Sequence, residues 1–352
     1  MPGEAIQAPD LTQEFSKNPR LAQSPFRPPR WLRNRHLQTI FPTLPWTRGP
    51  KPAVVMEWLE LPDGDRAALE WLPAGEPARA ANPLLVILHG LEGSAESPYC
   101  RHLMWAAAAR GWRAVVLHFR DCGDYRNRLP RRYHAGETDD LRYFLGRLRT
   151  AWEHEGPVFA AGYSLGGNVL LKYLGESGSG APLTAAAAVS VPLSLHNSAA
   201  TLERGGSRFY QSYLLRRMKQ AVRRKFNPDT AAFDWRRALA ARTFAEFDDA
   251  VTAPLHGFRG KDDYYDQCSA AGYLGRIRRP TLVINALDDP FMSPAAFPPA
   301  DEIADTVTIE VSRHGGHVGF IEGGAPWRPR FFLPERIVRF FDSFISPGPG
   351  SP

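Results

Sequence analysis

Between residues 84 and 191 short apolar runs alternate with segments of helix length, and this alternation restricts the fold more than any other feature. Leu84–Leu88 (LLVIL), Ala114–Phe119, Val158–Ala161 and Ala185–Val191 are the runs. A run this short, with no polar face, reads as a strand covered on both sides. Ser97–Arg110 reads as a helix, with Ser97 at its N-cap, Pro98 at its first position and Gly111 ending it. Glu137–Arg149 is the next helix, and Leu165–Leu174, closed by Gly175, the third. Strand and helix joined by short connections imply a parallel sheet with helices on both faces, an α/β architecture.

The flanking segments extend this core. Val54–Leu61 and Ala67–Leu72 read as a hairpin, because Pro62-Asp63-Gly64-Asp65 between them is turn chemistry. Residues 1–50 lack helical or strand periodicity, and PFRPPRWLRNRHLQTIFPTLPW suits an extended arm laid over the body. Residues 194–278 interrupt the alternation with a basic, aromatic-rich stretch that reads as helical. Strands then resume at Thr281–Asn285 and Thr306–Val311, and a helix over Pro334–Ile345 ends the core. The tail PGPGSP reads as unstructured. The expected organisation is an arm (1–50), a doubly wound, mostly parallel core in two pieces (51–193 and 279–352), and a helical insertion (194–278).

Composition excludes several classes. With 43% hydrophobic and 23% charged residues, the 352-residue chain is not wholly disordered. No apolar run approaches the roughly 18 residues of a membrane span. The opening MPGEAIQAPDLTQEF is acidic and polar, unlike a signal peptide. Cys100, Cys122 and Cys268 show no paired or C-x-x-C spacing, which points to a reducing cytoplasm. The net charge of +6 is concentrated: residues 201–240 hold ten Arg or Lys against three Asp or Glu. No nucleic-acid motif accompanies this patch, so nucleic acid is not an expected partner. It reads as a solvated helix face, with transient contact to an anionic membrane surface as the second reading.

Gly162-Tyr163-Ser164-Leu165-Gly166 matches the nucleophile-elbow pattern G-x-S-x-G. Five residues alone are a weak signal. Their position between the strand VFAA and the helix LGGNVLLKYL supplies the required strand–turn–helix setting. In so sharp a turn the side chains two residues either side of the serine would collide. Glycines at 162 and 166 remove them and tolerate unusual dihedrals. The alternative is an ordinary turn with Ser164 as a helix N-cap.

A serine hydroxyl needs a base, and the order for such an elbow is Ser, acid, His. Of the histidines after Ser164, His317 in SRHGGHVGF follows the last strand, and glycines on both sides mark a flexible loop. It is favoured over His314, which follows the strand directly. TLVINALDDPFMSP places Asp288 and Asp289 after the penultimate strand. The D-P-x-x-x-P form favours Asp289, leaving Asp288 to cap the turn. His89-Gly90-Leu91 follows LLVIL, so the backbone N–H groups of Leu91 and Leu165 are the expected oxyanion donors, with His89 bracing the loop.

These residues, with RPPRWLRNRHLQTIFP, HGLEGS, RYHAGETDDL, GYSLGGNVLLKYLGE, NALDDPF and HGGHVGF, resemble the bacterial YheT-like branch of the α/β hydrolases. That branch is related to the mammalian abhydrolase-domain esterases and phospholipases. The resemblance runs from about Pro28 to Phe344. It implies the α/β-hydrolase fold, a Ser164–Asp289–His317 triad, and hydrolysis of short-chain carboxylic esters or acylglycerols through an acyl-enzyme. An acyltransferase would use the same triad. Neither metal nor organic cofactor is implied, and no H-E-x-x-H or G-x-G-x-x-G is present. The chain departs from the family pattern at Asp121, where Arg-Gly-Cys is usual. Glycine tolerates dihedrals that aspartate does not, so the conformation of that loop is open.

The insertion is expected to form a lid over Ser164. Tyr210, Leu214, Met218 and Ala221 share one helical face. Phe209 and Tyr213 are expected to line an acyl pocket, with the arginines facing solvent or lipid head groups.

Overall fold

The structure, a computed structural model, describes residues 19–73 and 81–345. The first part of the arm, most of the loop between Pro73 and Pro83, and the tail PGPGSP lie outside the described residues.

Eleven strands are present among the described residues, and nine of them form one sheet. β1 (Leu21–Gln23), β2 (Val55–Glu60) and β3 (Arg66–Leu72) come first. β4 (Leu84–Leu88), β5 (Arg113–Leu117), β6 (Val158–Tyr163) and β7 (Ala185–Val189) follow, then β8 (Thr281–Ala286) and β9 (Val307–Ser312). The order across the sheet is β1-β9-β8-β7-β6-β4-β5-β3-β2. All pairings are parallel except β2 with β3 and β3 with β5. The N-terminal hairpin therefore forms an antiparallel margin on a parallel sheet, as its turn chemistry predicts.

β4 shows why a fully apolar run makes a central strand. Leu84, Val86 and Leu88 face one core while Leu85 and Ile87 face the other, following the two-residue side-chain period. α2 (Pro98–Ala108) and α11 (Phe332–Asp342) cover the second face; α3 (Asp139–Ala151) and α4 (Leu165–Ser177) cover the first. Gly175 does not end α4. The helix runs on to Ser177, and a Cβ at Gly175 would lie 2.5 Å from the Tyr273 carbonyl oxygen. That glycine allows close packing and is not a cap.

The arm is more structured than its composition suggests. β1 pairs with β9 at the sheet edge. Asn34 caps α1 (Arg35–Ile40) by accepting from the His36 and Leu37 amides. Three residues are too few to show a strand period, and the proline-rich flanks mask the helix. A second departure is a separate hairpin of β10 (Ile321–Ala325) and β11 (Arg328–Phe331), which precedes the last helix.

The segment between β7 and β8 is helical. It holds α5 (Leu195–Leu202), α6 (Ser207–Lys225), α7 (Trp235–Ala240), α8 (Phe244–Phe247), α9 (Ala253–His256) and α10 (Lys261–Cys268). A π-helical turn, Asp248–Thr252, links α8 to α9. On α6 the face of Tyr210, Met218 and Ala221 is buried, with Leu214 beside them half-buried. Phe209 and Tyr213 are on the outside, 66% and 52% exposed, so they do not line a pocket. Their positions fall one residue off the buried stripe.

Candidate active site

The elbow is built by β6 and α4. Ser164 adopts φ 52°, ψ −119°, a strained conformation for a residue with a side chain. Its N–H donates to the Val189 carbonyl on β7 at 2.8 Å, which anchors the turn. A Cβ at Gly162 would meet the Gly166 carbonyl oxygen at 2.4 Å, and one at Gly166 would meet the Leu88 and His89 oxygens at 2.5 Å. Both glycines thus permit close approach. The unusual dihedrals fall on the serine itself. Its side chain does not cap α4.

The hydroxyl instead meets His317, whose Nε2 lies 3.0 Å from Ser164 Oγ. Nδ1 of the same ring lies 2.9 Å from Asp289 Oδ2 and 3.1 Å from Oδ1. The Asp289 carboxylate is buried and also accepts from the Phe291 N–H at 2.8 Å. Phe291 stacks on the His317 ring with centroids 3.8 Å apart and planes 3° apart. Asp288 is turned elsewhere: Oδ1 accepts from the Gly316 N–H at 3.0 Å and Oδ2 faces His314 at 3.3 Å. The chain order predicted from sequence thus brings Ser164, Asp289 and His317 into one hydrogen-bonded row, with Asp288 and His314 outside it.

The His317 loop is pinned. Thr39 Oγ1 on α1 accepts from the His317 N–H at 2.9 Å, and Ser190 Oγ accepts from the Val318 N–H at 2.9 Å. Gln38 is fully buried and bonds both polar groups of Ile321. A Cβ at Gly319 would lie 2.1 Å from the Gln38 carbonyl oxygen. Its glycine serves contact with the arm, which corrects the reading of a flexible loop. Gln38 and Thr39 belong to the RHLQTIFP motif, but nothing in the sequence assigns them this bracing.

The loop after β4 closes the other side. Its amides at Gly90 and Glu92 donate to the hydroxyls of Tyr99 (2.9 Å) and Tyr133 (2.7 Å). The Gly93 amide donates to the Gly90 carbonyl. Leu91, between them, has no acceptor for its N–H among the described residues. Leu165 opens α4, so its N–H has no intrahelical acceptor either. Leu91, Leu165, Ser164 and His317 all border one cavity. His89 accepts from the Phe119 N–H through Nε2 at 3.2 Å and lies 2.8 Å from the Gly90 carbonyl through Nδ1. Burial lowers it to about 4, so it stays neutral and braces this loop.

The arginines of α6 are exposed, and some side chains of this basic set also reach groups on the body. Arg217 donates to the Glu92 carbonyl at 2.6 Å, Arg224 lies 3.6 Å from Asp121, and Lys225 donates to Asn127. Asp121 itself has φ 65°, the left-handed conformation a glycine would take, and its buried carboxylate also pairs with Arg132 at 3.1 Å. These ion pairs hold an aspartate in a conformation that costs it on the order of 1–3 kcal/mol.

Residues 83–324 match the family model described as the alpha/beta hydrolase fold. The chain is 43% identical over 323 residues to YheT of Escherichia coli K12, a protein with esterase in its name, covering 91% of this chain and 94% of that one. This chain belongs to the α/β-hydrolase family, in its YheT-like branch. The hydrolase is also 30% identical over 298 residues to the mouse phospholipase ABHD3, covering 83% of this chain and 72% of that protein. An esterase structure from Pyrococcus furiosus, Pf2001, superposes with a TM-score of 0.55 over 92% of this chain and 98% of that one. At 15% identity this likeness concerns the fold alone.

The hydrolase also gathers His134, Glu137 and His256, whose ligand-type atoms lie within 4.8 Å of one another. No sequence spacing signals this trio. Arg131 already holds the Glu137 carboxylate at 2.5 Å, so a cation would have to displace a guanidinium. Burial lowers His134, and lowers His256 to about 4, so both rings are neutral at pH 7.

Sequence reading also missed Asp248, which borders the cavity. Burial raises its carboxyl from 3.8 to about 6. A carboxyl harder to ionise in the folded chain adds stability while protonated. That contribution is full below about pH 4 and is lost as pH rises through about 6. The difference amounts to about 3 kcal/mol. Asp248→Asn, which cannot ionise, is therefore expected to gain roughly 3–6 °C in Tm on wild type between pH 4 and pH 7. Thermal melts at both pH values check this, and a constant gap overturns it.

Proposed function

We propose that this hydrolase cleaves carboxylic esters through an acyl-enzyme on Ser164, acting on short-chain esters or acylglycerols. The observation that carries the reading is the continuous row Ser164–His317–Asp289, with Ser164 Oγ 3.0 Å from a ring whose far nitrogen meets a buried carboxylate. Ser164 Oγ attacks the carbonyl carbon as His317 Nε2 takes its proton. Asp289 keeps the remaining ring proton on Nδ1 and stabilises the imidazolium. The amides of Leu91 and Leu165 receive the oxyanion. His317 then protonates the leaving alcohol oxygen as the C–O bond breaks. Water attacks the acyl-serine by the same route, releasing the acid and restoring the hydroxyl.

The cavity supports an acyl group as the buried part. It has about 810 Å³ of empty space, its open mouth included. Its walls are largely apolar: Leu195, Leu202, Leu214, Met218 and Phe244 come from the helical segment, which we assign as a lid. Three buried, unpaired thiols support a cytoplasmic setting. Among the described residues no helix is long and apolar enough to cross a membrane.

A matched series of p-nitrophenyl esters tests the substrate class, with a fluorophosphonate probe reporting on the serine. Each buried methylene contributes about 0.8 kcal/mol, so kcat/KM is expected to rise about fourfold per CH₂ until the cavity is full. A profile independent of chain length overturns the acyl assignment. Transfer to an added alcohol in preference to water would make the protein an acyltransferase.

A further inference from the structure

The cavity that opens on Ser164 is not apolar throughout. Ser198 on α5, Asp248 and Thr252 on the π-helical turn, and Tyr265 on α10 are polar residues that border it. Asp248 is buried; its Oδ1 accepts from Thr252 Oγ1 at 2.6 Å and its Oδ2 from the Tyr265 hydroxyl at 2.8 Å. Among the described residues no cation pairs with it. An ionised carboxylate offers about four acceptor sites, so two neutral donors leave capacity unused.

Ser198 is 7% exposed, and its hydroxyl has no hydrogen-bond partner among the described residues. A helical serine that is not in solvent can bond the carbonyl four residues back, but the Ser194 carbonyl receives only the Ser198 N–H, at 3.0 Å. Buried polar atoms without partners are uncommon and call for an explanation. The π-helical turn adds to the case, since such insertions cluster at functional sites. A plain methylene chain would satisfy neither Ser198 nor Asp248. A hydroxyl group carries both the acceptor that the one lacks and a donor for the other.

We infer that this wall is a recognition subsite for a hydroxyl group on the buried part of the ester. The hydroxyl would be remote from the scissile carbonyl, because the subsite comes from the helical segment while the nucleophile comes from the sheet. The inference rests on the ester-hydrolase reading above. A substrate ammonium is the competing chemistry. It would meet Asp248 but, having no acceptor, would leave the Ser198 proton unbonded.

The test compares p-nitrophenyl esters of one saturated acid, of its monohydroxy isomers at successive positions, and of an ammonium-bearing analogue of equal length. Wild type, Ser198→Ala and Asp248→Asn are assayed on each, with thermal melts to verify folding. For wild type, one hydroxylated isomer is expected to exceed the unsubstituted ester in kcat/KM by about ten- to a hundredfold. That ratio is expected to fall towards one in both variants. The ratio is the readout, because a structural role for Asp248 would lower both rates together. Three outcomes overturn the subsite: ratios at or below one for every isomer, a preference that survives both substitutions, or a preference for the ammonium ester. Absence of turnover on any ester together with absence of fluorophosphonate labelling would instead remove the hydrolase reading, and the subsite with it.

Discussion

Ser164→Ala is expected to abolish fluorophosphonate labelling and to lower kcat by about 10⁶-fold, the loss seen when the nucleophile of a serine hydrolase is removed. The fold should persist. Ser164 Oγ bonds His317 and does not cap α4, so its removal leaves the elbow's backbone anchor to Val189 in place. Alanine carries the same Cβ into the φ 52° conformation, so the local strain is unchanged. A melting temperature near that of wild type, with turnover gone, is the expected pair of results. Undiminished turnover in this variant would place the nucleophile elsewhere and remove the mechanism proposed here.

Asp289→Asn is expected to cost about 10⁴-fold in kcat, because an amide cannot hold the proton on His317 Nδ1 and leaves the ring in the wrong tautomer. Asp288→Asn should cost far less. Its Oδ1 accepts from the Gly316 N–H, and an asparagine oxygen can make the same bond. The pair is a sharp control, since the two residues are adjacent and both bond the loop that carries His317. Steady-state kinetics of the two variants on one activated ester decides the matter. If Asp288→Asn is the more damaged, the assignment is wrong by one residue.

Much of this molecule was legible in the sequence where short-range energies decide the outcome. The apolar run Leu84–Leu88 had to be a two-sided strand, because no face of it could be left in water. The elbow was readable because Gly162, Ser164 and Gly166 sit at one turn. Asp289 and His317 were readable because the topology places each acid or base at the carboxyl end of its strand. The stripe Tyr210, Leu214, Met218 and Ala221 followed from helical spacing alone.

Tertiary structure decided the rest. The His317 N–H finds Thr39, 278 positions away, and Gln38 clasps Ile321 at a separation of 283. Such contacts leave no local period, so an arm that reads as extended becomes the brace of the histidine loop. In the sequence the glycines beside His317 look like marks of a flexible loop. Gly319 instead serves close approach to the Gln38 carbonyl, and Gly316 combines a left-handed φ of 59° with close approach to the Arg35 carbonyl. Arg217 and Arg224 read as solvated charge and are exposed, and the fold also brings them to the Glu92 carbonyl and the Asp121 carboxylate. Asp248 carried no signal at all. Only packing put a carboxylate, a lone serine hydroxyl and the nucleophile around one cavity, and the chemistry of that wall depends on burial, which the order of residues does not encode locally.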